Sequence, residues 1–317
     1  MRIKSIFTAF ALLLVSFAPA YGAYLPGMPK PLNENDIYAA DKPNNFATEV
    51  KGDPALIYVP NTQSNTVQVY DQNTYKLIRT VKVGREPQHV VPSYDLKTLY
   101  ANSDLGNSLR PFDAKTGKPL KTIPLLDPYN LYFTPDGKYA VVMQERMKQI
   151  AFADPHTFKI IHTLKTNCGG VNHADWSADG TYFVASCEFS SSIIEVDSVK
   201  MKIIHEQFIP DSHSLHSASH HAGLPNLGPQ PQDVKLSPDG KTFYIADMMS
   251  DGIWAMPAPW GKLTYIHTGF GAHGLYITRD SKKMLITNRN ESSISVFNFA
   301  QNKVINNWKI PGNTSPD

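Results

Sequence analysis

Val234-Lys235-Leu236-Ser237-Pro238-Asp239-Gly240-Lys241-Thr242-Phe243-Tyr244-Ile245-Ala246 reads as an apolar strand ending on a hydroxyl, a tight turn through Asp-Gly, and a second strand. Gly at the turn tolerates the positive φ that such hairpins need. The same phrase returns along the chain: Val90-Val91-Pro92-Ser93-Tyr94-Asp95, Leu131-Tyr132-Phe133-Thr134-Pro135-Asp136-Gly137, Ala174-Asp175-Trp176-Ser177-Ala178-Asp179-Gly180 and Leu275-Tyr276-Ile277-Thr278-Arg279-Asp280. The anchor hydroxyls Ser93, Thr134, Ser177, Ser237 and Thr278 are separated by 41, 43, 60 and 41 residues. A period of about forty residues is that of one four-stranded propeller blade, and the interval of 60 marks an insertion.

Outward from each anchor the grammar is constant. The anchor strand turns into a second strand such as Thr98-Leu99-Tyr100-Ala101-Asn102. A polar loop leads to an alternating third strand, for example Thr66-Val67-Gln68-Val69-Tyr70-Asp71, and a turn such as Asp113-Ala114-Lys115-Thr116-Gly117-Lys118 leads to a fourth. Alternation of this length is the pattern of half-buried strands. The expected fold is therefore an all-β propeller of four-stranded antiparallel blades, with repeats over about 87–126, 127–167, 168–210, 231–268 and 271–310 and a first repeat that begins at its second strand, Ala55 to Pro60.

Tyr58-Val59-Pro60-Asn61, Asn65-Thr66-Val67-Gln68-Val69-Tyr70-Asp71 and Ile78-Arg79-Thr80-Val81-Lys82-Val83-Gly84 closely resemble the YVTN-family β-propeller repeat, with Pro60 where that repeat usually has Thr. The likeness covers residues 55–317. It implies a ring of the seven-bladed type in which a C-terminal strand completes the N-terminal blade. By that pattern about six blades are present and the ring is incomplete at the C-terminus. The alternative is that Tyr24 to Lys51 supplies the missing strand of a smaller ring.

The chain opens Met1-Arg2-Ile3-Lys4, continues through an apolar run from Ile6 to Phe17, and reaches small residues at Ala18, Ala20 and Gly22. This is the pattern of a secretory signal peptide over residues 1–22, followed by an extension over 23–54. No later segment has the length of a transmembrane helix, so a periplasmic or secreted protein is expected. Thirty basic and twenty-eight acidic side chains give a net charge of +2. No single-sign patch for nucleic acid emerges from that balance. Cys168 and Cys187, the two cysteines, could form one disulfide in such a compartment or remain two small buried thiols.

The residue four or five before each anchor hydroxyl is His89, Asn130, His173, Asp233 or His273. Innermost strands line a propeller's channel, so these side chains should converge on one funnel. Glu188 and Arg289, from loops between second and third strands, should join them, with Glu188 near His173. The insertion 211–230 carries His213, His216, His220 and His221. A loop there could act as a lid, and His216, His220 and His221 could join His173 and His273 around a borderline metal. Arg146 and Arg289 could receive an anion. Among further loop charges are Asp104, Asp247, Asp251 and Glu291.

No nucleophile elbow, phosphate-cradling loop, H-E-x-x-H or C-x-x-C-H is present, which favours a binding or scaffold protein for a small ligand, metal or protein partner over an enzyme. The repeats are also similar to those of haem d-type nitrite reductase propellers and their maturation relatives. That resemblance implies a haem or metal cofactor served by His173 or His273. A third reading is a metal-dependent, lactonase-like hydrolase using Glu188 and the histidines. Expression through a bacterial secretory pathway should yield a mature N-terminus at Tyr21 or Ala23, read by intact mass; recovery of the exported protein with Met1 retained would refute the leader.

Overall fold

The computed structural model describes residues 24–211, 228–312 and 314–316. The chain is a six-bladed β-propeller of mostly four-stranded antiparallel sheets. The first sheet joins β1 (Leu56–Asn61), β2 (Thr66–Asp71) and β3 (Leu77–Lys82); the second joins β4 (Pro87–Pro92), β5 (Thr98–Ser103), β6 (Ser108–Asp113) and β7 (Ile123–Pro124). In the third are β8 (Asn130–Phe133), β9 (Ala140–Gln144), β10 (Gln149–Ala153) and β11 (Ile160–Lys165). The fourth has β12 (Val171–Trp176), β13 (Tyr182–Cys187), β14 (Ser192–Asp197) and β15 (Lys202–Phe208). The fifth comprises β16 (Pro231–Leu236), β17 (Thr242–Asp247), β18 (Gly252–Pro257) and β19 (Thr264–His267). The sixth comprises β20 (Ala272–Ile277), β21 (Lys283–Asn288), β22 (Ser293–Asn298) and β23 (Lys303–Lys309). Sheet boundaries follow the sequence period closely. Among the described residues no strand precedes β1 in its sheet, and β1 packs beside β4 as β13 packs beside β16.

The anchor hydroxyl recurs because it closes the turn between the first two strands of the second to sixth blades. Thr134 Oγ1 donates to Asp136 Oδ1 at 2.7 Å and accepts the Tyr139 N–H at 3.1 Å; Ser177 does the same with Asp179 at 2.7 Å and Tyr182 at 3.2 Å. Ser93, Ser237 and Thr278 repeat the arrangement with Asp95, Asp239 and Asp280. Gly137, Gly180 and Gly240 have φ near +70° at the turn, and where no Gly is present Leu96 and Ser281 take φ of 60° and 57°. Those two side chains adopt a left-handed backbone that non-Gly residues visit rarely.

Apolar faces pack sheet against sheet. Met143, Ile150 and Phe152 of the third blade meet Val171, Phe183 and Ile194 of the fourth, and Ile193 and Val184 on the other face meet Val234, Ile245 and Trp254 of the fifth. Parallel clusters join the second blade to the third, the fifth to the sixth and the first to the second.

Tyr24 to Lys51 forms no strand. It crosses the turns of the fourth and fifth blades through Leu25 N–H to Asp179 O and Ile37 N–H to Pro238 O, both at 2.8 Å, with short 3-10 turns at Ala39–Asp41 and Thr48–Val50. Lys115 ties the end of this arm to Asp53 at 2.5 Å. Among the described residues no helix is long and apolar enough to cross a membrane.

Cys168 and Cys187 form a disulfide with Cα atoms 5.6 Å apart, inside the usual span for such a bond. It ties the entry to β12 to the end of β13.

Thr134 is 1 % exposed, so Thr134→Val should lower unfolding stability by about 1–3 kcal/mol, the cost of leaving buried hydrogen-bonding groups unmatched. Urea denaturation of the two proteins measures this, and an unchanged midpoint would remove the anchor from the account of the blade.

Candidate functional site

Four of the innermost strands carry a register shift near their entry: between Pro87 and Val90, Val171 and Ala174, Pro231 and Val234, and Ala272 and Leu275. His89, His173, Asp233 and His273 all lie inside these irregular stretches. A bulge bends its strand and re-aims the side chain it carries. The second strand satisfies the displaced backbone: Ser186 Oγ accepts the His173 N–H at 3.2 Å and Thr287 Oγ1 accepts the Gly274 N–H at 2.7 Å.

The result is a cavity of about 670 Å³ lined by His89, Tyr129, Asn130, Tyr132, His173, Asp233, His273, Tyr276 and Arg289, among others. Six of the seven expected funnel residues line it. The exception is Glu188, which lies in a 3-10 turn (Glu188–Ser190) and accepts the Asn172 amide at 2.7 Å. Burial raises its pKa, opposed by hydrogen bonds from Gln232 and Asn172.

The three imidazoles stand in a row, edge to face. The His89 and His173 rings are 5.5 Å apart and those of His173 and His273 6.1 Å, with the Tyr129 ring 5.6 Å from His89 and 6.0 Å from His173. Backbone and carboxylate acceptors set two tautomers. His89 Nδ1 donates to the Tyr129 carbonyl at 3.0 Å, and His173 Nδ1 donates to Asp233 Oδ1 at 2.8 Å. The other Asp233 oxygen accepts the Leu275 N–H at 2.9 Å. Burial alone would raise the Asp233 pKa, but the His173 hydrogen bond, the Leu275 N–H and the Lys235 ammonium together hold it well below the usual carboxylate range.

Behind this pair a half-buried polar chain continues through the N-terminal arm. Lys235, its pKa raised by Asp175, lies 3.9 Å from that carboxylate. Asp175 accepts the Leu236 N–H at 2.8 Å, and Tyr38 of the N-terminal arm donates to Leu236 O at 2.9 Å. Beside Asn130, the Tyr132 hydroxyl accepts the Asn130 amide at 2.8 Å and the Ala174 N–H at 3.1 Å, and burial raises its pKa strongly.

A family model of YNCE-like β-propellers matches residues 45–317. The chain belongs to the YNCE-like β-propeller family. No curated protein sequence matches it. Among solved structures, a chain titled Kuenenia stuttgartiensis hydrazine synthase superposes with a TM-score of 0.66 at 15 % identity, covering 80 % of this chain and 83 % of that one. At that identity the likeness concerns the fold.

Other expectations for this YNCE-like propeller divide. Among the described residues no three His, Cys, Asp or Glu side chains are gathered closely enough to hold a metal ion; His213, His216, His220 and His221 lie outside the described residues. Arg146 is not placed to receive an anion from the cavity, because its Nε bonds Asp104 at 3.0 Å and Asp127 at 2.9 Å. Asp247 is buried, accepting the Gln230 N–H at 2.9 Å and the Trp254 indole at 3.3 Å, and Glu291 takes Lys309 and the Phe270 N–H. These three are loop braces. Tyr129, Tyr132 and Tyr276 were not singled out in the sequence, although alternation on β8 puts Tyr132 on the same face as Asn130.

The loops above the third blade crowd carboxylates around Arg146. Glu145 is 8 % exposed, and burial, then Glu188, Asp104, Asp127 and Glu86, push its carboxyl up to about 8. An acid whose folded pKa is raised destabilises the fold progressively as pH climbs from its unfolded value, about 4.3, towards the folded one. Glu145→Gln should therefore match wild type near pH 4 and exceed it by at least about 1 kcal/mol at pH 8; equal stability across that range in chemical denaturation would contradict this environment for Glu145.

Proposed function

We propose that this propeller is an extracytoplasmic binding protein for a small, flat anion held in the central cavity. One observation carries the reading: bulged inner strands of separate blades aim three imidazoles at one space, which Arg289 and the Tyr129 and Tyr276 rings also border. Asp233 is the acidic group of that lining, and its carboxylate is engaged by the His173 Nδ1–H and the Leu275 N–H, with the Lys235 ammonium nearby. The remaining surface is therefore rich in hydrogen-bond donors and leans positive. A volume of about 670 Å³ lies within the range of small-molecule sites, and aromatic walls favour a flat ligand. The apolar N-terminal leader pattern and the disulfide support export, because structural disulfides persist in oxidising compartments.

Calorimetric titration of the mature protein with benzoate, the simplest flat carboxylate, tests the reading. Binding is expected, with Arg289→Ala weakening it about tenfold or more, the scale of a hydrogen bond to a charged group. Absence of heat with wild type, or equal affinity in the variant, would refute it.

A further inference from the structure

Resting on that reading of the cavity, one feature says more about the ligand. His173 is 5 % exposed, and its Nδ1–H is committed to Asp233 at 2.8 Å. Its Nε2 is buried and has no hydrogen-bond partner. A buried polar atom left unmatched is uncommon and calls for an explanation, and on a residue lining a cavity the natural one is a partner brought from outside. Asp233 also decides which partner. With the carboxylate accepting from Nδ1–H, the neutral ring keeps its proton on that nitrogen and presents Nε2 as a lone pair. Nothing adjoining contradicts this: the Asn130 amide, 3.4 Å from Nδ1, donates instead to Tyr132, and Glu188 is bonded to Asn172.

We infer that the Asp233–His173 pair reads a hydroxyl on the ligand, whose O–H donates to His173 Nε2 while its anionic end meets Arg289, so that the cavity selects flat hydroxy acids over acids lacking a donor. His89 and His273 flank the hydroxyl position as edge-to-face walls. A site built to pair a ligand hydroxyl discriminates strongly against an analogue that cannot supply it, because the buried acceptor is then stranded.

Two measurements on the mature protein separate this inference from the cavity reading beneath it. Nitrogen-15 NMR of the histidine rings, with His173 assigned through His173→Gln, should show Nδ1 bearing the proton and Nε2 bare in the ligand-free protein. A proton on Nε2, with or without one on Nδ1, overturns the inference whatever the cavity binds. Calorimetry with 4-hydroxybenzoate, 4-methoxybenzoate and benzoate should then rank the hydroxy acid at least about tenfold tighter than its methyl ether. His173→Gln and Asp233→Asn, each checked for folding by circular dichroism, should remove that preference, since an Asn amide can donate to Nδ1 and shift the ring proton to Nε2. Equal affinity for all three probes overturns the hydroxyl reading and leaves the cavity as an anion site; binding of none overturns both.

Discussion

Five of the six blades depend on one short-range constraint, a hydroxyl that closes the turn between the first two strands. Because Ser or Thr both donates to the following Asp and accepts an N–H from the second strand, the lower end of every inner strand has the same geometry. Residues counted back from that point fall at the same depth in the channel. His89, Asn130, His173, Asp233 and His273 share a level for this reason, although long stretches of sequence part them. The packed faces hold neighbouring blades at a set angle, so depth along the strand becomes convergence in space.

Within the cavity the electrostatics are arranged around a single ionised carboxylate. Half-buried Asp233 stays charged because it has partners on both sides: an imidazole, a backbone N–H and, behind, a lysine. Its effect is to orient His173 more than to add negative charge to the space. Across the propeller the loops above the third blade show the opposite case. There Arg146 bonds Asp104 and Asp127, yet burial still lifts Asp127 to about 6, and burial with the nearby acids lifts Glu145 further. One guanidinium does not serve a whole carboxylate cluster.

Much of this was legible in the residues. The anchor phrase revealed the blades because its side chains make local bonds, and local bonds leave a fixed spacing in sequence. The depth rule then located five of the cavity residues. What stayed hidden were matters of pairing. Bulges in β4, β12, β16 and β20 depend on the register between strands, which alternation alone does not specify. Arg146 looks like a ligand-binding cation until Asp127, nineteen residues away, is seen to reach it. Glu188, expected near His173, bonds the neighbouring Asn172. The N-terminal arm has no period at all, since it adheres through backbone bonds to blade turns, and the suggestion that it supplied a strand came from the strand missing from the first repeat.

The bulges carry a consequence for how such a protein diverges. A side chain aimed from a bulge into open space is not needed to hold its own strand, whose pairing rests on residues further along and on hydroxyls of the second strand such as Ser186 and Thr287. Each blade thus behaves like one pin of a tumbler lock: its inner position can be recut while the barrel keeps its shape. Recognition could then drift one blade at a time under selection that never touches the fold.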